Sequence, residues 1–251
     1  MTFKRLLVLS IAASALPQQT QTVQKSSQFP YPEQLNYHVE WRLITAGTAT
    51  VRLSRPRASV WEIELHLESA GVVTRLYRVL DTYTTVGNEQ FCASSAVLDA
   101  QEGKRRHLTQ LTFDNSQHKL EYNERDLLGN RAVKRVIDIV PCTHDVAGGL
   151  AALRILKLEL SKSAMLPITD GKKMVNARVE AQSRENVTVS GKTYDAVRYE
   201  VFLFDNVLYK RKGRLLVWMT DDADHLPVQF RFQLGFPIGT ISLYLDKQQK
   251  M

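Results

Sequence analysis

Cysteine is nearly missing from this 251-residue chain, which has only Cys92 and Cys142. Without a paired C-x-x-C, the thiols offer no framework for a zinc or redox centre. Twelve glycines and eight prolines are too few for a collagen or a low-complexity chain. Long apolar runs are lacking too: the one from Leu6 to Ala13 falls far short of the ~20 residues that cross a bilayer. Common catalytic signatures are absent, among them G-x-S-x-G, H-E-x-x-H and the Walker loop. What is present, 44% hydrophobic and 24% charged residues, fits a folded globular domain long enough to bury a real core.

The chain starts with Lys4 and Arg5, the short apolar run, and then Ala13-Ser14-Ala15, the pattern of a secretory signal peptide cut near Ala15. This predicts a periplasmic protein with a signal peptide at 1–15, a polar flexible leader at 16–28, one β-rich domain at 29–246 and a tail at 247–251. No transmembrane segment is expected after cleavage. Removing Lys4 and Arg5 lowers the formal charge from +7 to +5. Most remaining Lys and Arg alternate with apolar residues, as on a solvated sheet face, so no nucleic-acid partner is expected. Weak attraction to an acidic envelope surface follows from the residual charge. Export also permits a disulfide between Cys92 and Cys142, 50 positions apart, with two buried free thiols as the alternative.

The dominant period is two. From Leu35 to Leu43 odd positions are apolar and even ones polar, a strand with one face to a core. Ala46-Gly47 is expected to break it, a second strand then stopping at Arg55-Pro56. Trp61 to Glu68 alternates cleanly as a third. Gly71 to Leu80 reads as a helical turn feeding a strand at 81–86, and further strands are expected at 91–98, 108–113, 118–122 and 131–140. Past Pro141 the rule changes. Val146, Leu150, Leu153, Leu156 and Leu160 draw one stripe along a helix, with Asp145 or Thr143 as its cap and Gly148-Gly149 allowing close packing on the sheet. From Met174 to Leu245 the period returns to two. The fold expected is mainly β: one large curved antiparallel sheet, a half-barrel or open barrel, with one substantial α-helix that could plug or cover its concavity.

Several landmarks resemble a bacterial envelope family, the domain of unknown function 3108. They are Phe29 to Tyr37, Ala46-Gly47, Asp81-Thr82-Tyr83, Phe113-Asp114, Asp145 with a helix reaching Arg154, Tyr194-Asp195-Ala196, Val217 to Asp222, Leu226-Pro227-Val228 and Gly239. Pro32 stands where the family commonly has Gly, and Gly148-Gly149 where bulkier residues are expected. The resemblance implies an exported β-rich domain without an assigned activity, similar in plan to the curved-sheet carriers that escort lipoproteins between bacterial membranes.

Asp221, Asp222, Asp224 and His225 are the densest set of potential metal ligands, yet they lack the spacing of a calcium loop and read as a polar turn. His144-Asp145 beside Cys142 offers an acid/base pair, and a hydrolase using that pair or the Asp221 cluster is the enzymatic alternative. The basic run Lys210 to Arg214 falls at a hairpin turn, as a solvated loop or as a site for phosphate or a lipid headgroup. The leading expectation is a non-enzymatic binding or carrier domain for an apolar or lipid-like ligand or an envelope protein segment. Trp41, Trp61, Phe202, Trp218 and Phe230 are its candidate ligand contacts, or else simply core. A structural partner of an envelope assembly is the other alternative. No metal, cofactor or catalytic residue is assigned.

Overall fold

The structure, a computed structural model, describes residues 32–250; the signal peptide and leader expected from the sequence lie outside these residues. The first half of the chain gives β1 (Glu33–Trp41), β2 (Ile44–Arg57), β3 (Val60–Ser69), a short helix α1 (Gly71–Leu76), β4 (Val79–Gly87), β5 (Ala93–Glu102), β6 (Arg105–Asp114), β7 (Lys119–Asp126) and β8 (Ala132–Asp138). A two-residue β9 (His144–Asp145) leads into α2 (Val146–Ile155). There follow β10 (Ser163–Thr169), β11 (Met174–Val189), β12 (Lys192–Val201), β13 (Gly213–Thr220), β14 (Pro227–Leu234) and β15 (Gly239–Lys250).

All fifteen strands join one sheet in the order β8-β7-β6-β5-β4-β3-β2-β1-β15-β14-β13-β12-β11-β10-β9. Every pairing is antiparallel except that of β9 with β10. Sequence neighbours are thus spatial neighbours, and the first and last strands meet mid-sheet where β1 pairs with β15. The sheet curls until its far parts touch. Ala93 of β5 donates its backbone N–H to the Thr143 carbonyl at 3.0 Å. Gly171, in the β10–β11 turn, presses so close to Leu111 and Tyr122 that a Cβ there would lie 2.5 and 2.6 Å from their side chains. This meander sorts the connections to two ends. The end holding α1 also holds the turns at 42–43, 103–104, 127–131, 170–173, 202–212 and 235–238; the opposite end holds the disulfide.

The expected mainly-β sheet with one substantial helix is therefore the observed architecture, with local corrections. The first break falls at Arg42-Leu43, both at positive φ (49° and 70°), instead of at Ala46-Gly47. Gly47 lies inside β2, and a Cβ there would meet the Glu68 carbonyl oxygen at 2.1 Å, so its need is close approach of β3. Pro56 does not end β2; it sits in a register shift between Ser54 and Arg57, where a missing N–H is harmless. The α2 helix stops at Ile155, and Leu156 and Leu160 pack on the core from an irregular segment. β10 was not expected, because Pro167 and a weak alternation hide it. β15 runs on through the expected tail to Lys250.

Candidate functional site

The concave face of the sheet carries a packed core that includes α2. Leu35, Tyr37, Val179, Tyr199, Val217 and Phe230 belong to one core cluster, which Leu153 of α2 joins. The space left beside the helix, lined by Trp61, Ile63, Thr85, Gly87, Phe91 and Gly148, is about 10 Å³, room for roughly one water.

Polar groups fix α2 at both ends. At its start, Asp145 is completely buried and accepts four hydrogen bonds. The Ala147 and Gly148 N–H groups donate to it at 3.1 Å each, which makes it the N-cap, and the Tyr83 and Thr85 hydroxyls of β4 donate at 2.6 and 2.9 Å. Burial, reinforced by the Asp145 charge, pushes the Tyr83 hydroxyl well above the usual tyrosine range. Gly148 is required for contact: a Cβ would lie 2.7 Å from the Asp145 carboxylate and 2.9 Å from the Phe91 carbonyl. At the other end, Arg154 pairs with Glu33 of β1, and its guanidinium also donates to the Asp224 carbonyl at 3.1 Å. Gln248 of β15 donates to the second Glu33 oxygen at 2.6 Å.

Two histidines complete the frame. His144 donates from Nδ1 to the Phe91 carbonyl at 2.8 Å. His225 donates from Nδ1 to the Arg154 carbonyl at 2.9 Å, and its Nε2 accepts from the Tyr199 hydroxyl at 3.1 Å. A carbonyl can only accept, so each ring carries a proton on Nδ1. Burial lowers the pKa of each. The acid/base pair expected from His144-Asp145 is thus taken up in holding the helix. The chain joins Cys92 to Cys142, the predicted bridge.

In the turn at 221–226 each carboxylate has its own partner. Asp222 accepts from Thr220 and from the backbone of Asp224 and His225; Asp221 pairs with Arg184, and Asp224 with Lys250. Among the described residues no group of three or more His, Cys, Asp or Glu side chains could hold a metal.

The five aromatic candidates do not converge. Trp61 packs against Phe91 at the disulfide end, and Phe230 against Tyr37 within the core. Trp218 is buried on the other face of β13 from Val217, under the Arg231 guanidinium. Phe202 lies beyond β12 with Arg178 over its ring at 3.7 Å. Trp41 caps the opposite end, donating to the Ile238 carbonyl at 2.6 Å. Of the residues that lock α2, Glu33 and Tyr83 fall within landmarks of the family resemblance with no role read for them, and Thr85 was not singled out from sequence. Glu33 reads as a strand's polar first residue, and only its pairing across 121 positions reveals a buried partner.

A curled antiparallel sheet packed around one internal helix defines a β-barrel-like domain. A β-barrel-like protein of the DUF1849 family from Brucella abortus has a similar fold, with a TM-score of 0.57 at 6% identity over 89% of this chain and 99% of that one. A protein of unassigned function from Chlamydia trachomatis (9% identity, 87% of each chain, TM-score 0.35) is a looser likeness. So is a protein with a YmcC-like fold from Bacteroides fragilis (6% identity, 88% and 98% covered, TM-score 0.32). The chain belongs to the family described as protein of unknown function (DUF3108), whose model matches residues 36–246. Among curated proteins none matches it.

Proposed function

We propose that this is a periplasmic, non-catalytic binding domain that takes an extended segment of an envelope protein along the outer edge of β8. The observation that carries this reading is the contrast between a core packed against α2 and an open sheet edge. β8 pairs only with β7 among the described residues, and six of its seven residues are exposed. An unpaired row of backbone donors and acceptors is a template for strand addition. Beside it lies a shallow concavity of about 390 Å³ along β6, β7 and β8, with Gln110, Asn123, Glu124, Arg125, Val133 and Lys134 among its lining, which offers side-chain pockets to such a segment. Lys134 and Arg135 deter uncontrolled edge pairing and favour an acidic segment.

Export agrees with the signal-like N-terminus and with the disulfide. Among the described residues no helix is long and apolar enough to cross a membrane. The alternative occupant, an apolar ligand within the sheet and touching Trp61 or Phe230, requires α2 to leave, since the free space beside it is about 10 Å³. A photo-crosslinking residue at Val136, expressed in intact cells, tests the reading. It predicts an adduct with an envelope protein that is lost when β8 carries a proline; no protein adduct would contradict it.

A further inference from the structure

The two ends of the sheet differ sharply in charge and polarity. The connections at the α1 end (42–43, 70–78, 103–104, 127–131, 170–173, 202–212 and 235–238) hold ten Lys or Arg and two Asp. Turns at the disulfide end (58–59, 88–92, 115–118, 139–143, 190–191 and 221–226) hold no Lys or Arg and four acids. The remaining connection, 156–162, is nearly neutral, with Lys157 and Lys162 against Glu159.

Apolar exposure follows the same polarity. Phe236 (94% exposed), Leu43 (90%), Leu76 (70%) and Leu128 (69%) are the four most exposed large hydrophobic residues among those described, and all lie on connections at the α1 end. Val72 and Tyr77 are half exposed beside them. The tips are held, not loose. Arg42 donates to the Ile238 carbonyl at 3.1 Å and to the Pro237 carbonyl, which ties the Leu43 turn to the Phe236 turn. Tyr77 packs over Gly103 of the next turn so closely that a Cβ there would sit 2.8 Å from the ring.

We propose that this end docks on an anionic phospholipid bilayer. Leu43, Leu76, Leu128 and Phe236 enter the headgroup region, and the surrounding Lys and Arg, among them the exposed Lys210-Arg211-Lys212, meet the lipid phosphates. Apolar tips ringed by cations are the composition of a monotopic membrane face, where hydrophobic insertion and attraction to anionic lipid add. Four tips on four separate connections suit a fluid surface that moulds to each one, and a single protein pocket would need them contiguous. The far end, whose turns hold no Lys or Arg, then points away from the membrane, so the contrast between the two ends also sets the orientation. This proposal stands apart from the β8 edge: docked in this way, β8 leaves the surface roughly lengthwise and its outer edge stays accessible.

Phe236→Trp provides a direct probe, since the side chain is free of packing. In 3:1 phosphatidylethanolamine:phosphatidylglycerol vesicles the emission of this variant should shift to the blue and be quenched by brominated acyl chains, with neither effect in pure phosphatidylcholine. Lys210→Glu/Arg211→Glu/Lys212→Glu should weaken co-sedimentation with the anionic vesicles by roughly tenfold or more at low salt. The control Arg57→Glu/Lys192→Glu/Lys247→Glu changes net charge equally away from this end and should bind like the parent. Equal losses in both triple variants would reduce the effect to net charge and overturn the proposal. So would an unshifted emission from the Phe236→Trp variant, or failure of the parent to co-sediment with the anionic vesicles. None of these outcomes bears on crosslinking at Val136.

Discussion

Arg154, in the last turn of α2, and Glu33, the first residue of β1, form an ion pair with both side chains at least 95% buried. The pair ties the helix to the seam where the first and last strands meet. Removing one partner strands the other charge away from water. Glu33→Gln or Arg154→Leu should each cost about 3–5 kcal/mol by urea denaturation. The double variant Glu33→Leu/Arg154→Leu should regain much of that loss, giving a large coupling in a double-mutant cycle.

Asp145 holds the other end of α2 by accepting from two backbone N–H groups and two hydroxyls. Asp145→Ala removes a cap worth ~1 kcal/mol and takes away the acceptor of the Tyr83 hydroxyl, at about 1–3 kcal/mol, while Thr85 keeps the Ser95 carbonyl at 3.2 Å. A loss of about 2–4 kcal/mol is expected in thermal or urea unfolding. Tyr83→Phe alone should cost less, because the carboxylate keeps its other donors.

Gly148→Ala sets helix propensity against contact. Alanine gains about 1 kcal/mol in a helix interior, but its Cβ would press on the Phe91 carbonyl at 2.9 Å. Backbone cannot yield as a flexible side chain can, so the variant should be less stable by roughly 1–3 kcal/mol. A more stable variant would show that the helix sits further from the β4–β5 connection.

Acid should loosen the frame. His144 and His225 have pKa values lowered by burial, so below about pH 6.5 the unfolded chain binds more protons than the folded one. Their contribution is present at pH 7 and above and is lost as pH falls. Asp81 acts in the opposite sense: burial raises its pKa to about 6, so its ionisation weakens the fold as pH rises from about 4 to 6. In Asp81→Asn the acid-side loss below about pH 6.5 should therefore steepen, measured as urea midpoint against pH.

Much of the architecture was legible because period two survives wherever one face of a strand meets a core. Trp61, Ile63 and Leu65 alternating with Glu62 and Glu64 is enough to define β3. The pattern failed where a local irregularity was accommodated, as where Pro56 sits in a register shift of β2 and where Pro167 lies within the short β10. The capping role of Asp145 could be read from its place before an apolar stripe. Its Tyr83 and Thr85 donors could not, since they arrive from 62 and 60 positions away and only the sheet's curl brings them. The charged and apolar tips of the α1 end were scattered through the sequence for the same reason. Only the Lys210 to Arg214 run stood out, because it alone is contiguous.

Whether α2 is a fixed plug or a lid decides between binding on the outside of this domain and carriage within it. Native-state hydrogen exchange of the α2 amides measures this directly. The account predicts that residues 150–155 exchange only with the slowest amides of β12 and β13, through global unfolding. Exchange of α2 at a much lower opening free energy, with those strands still protected, would contradict it.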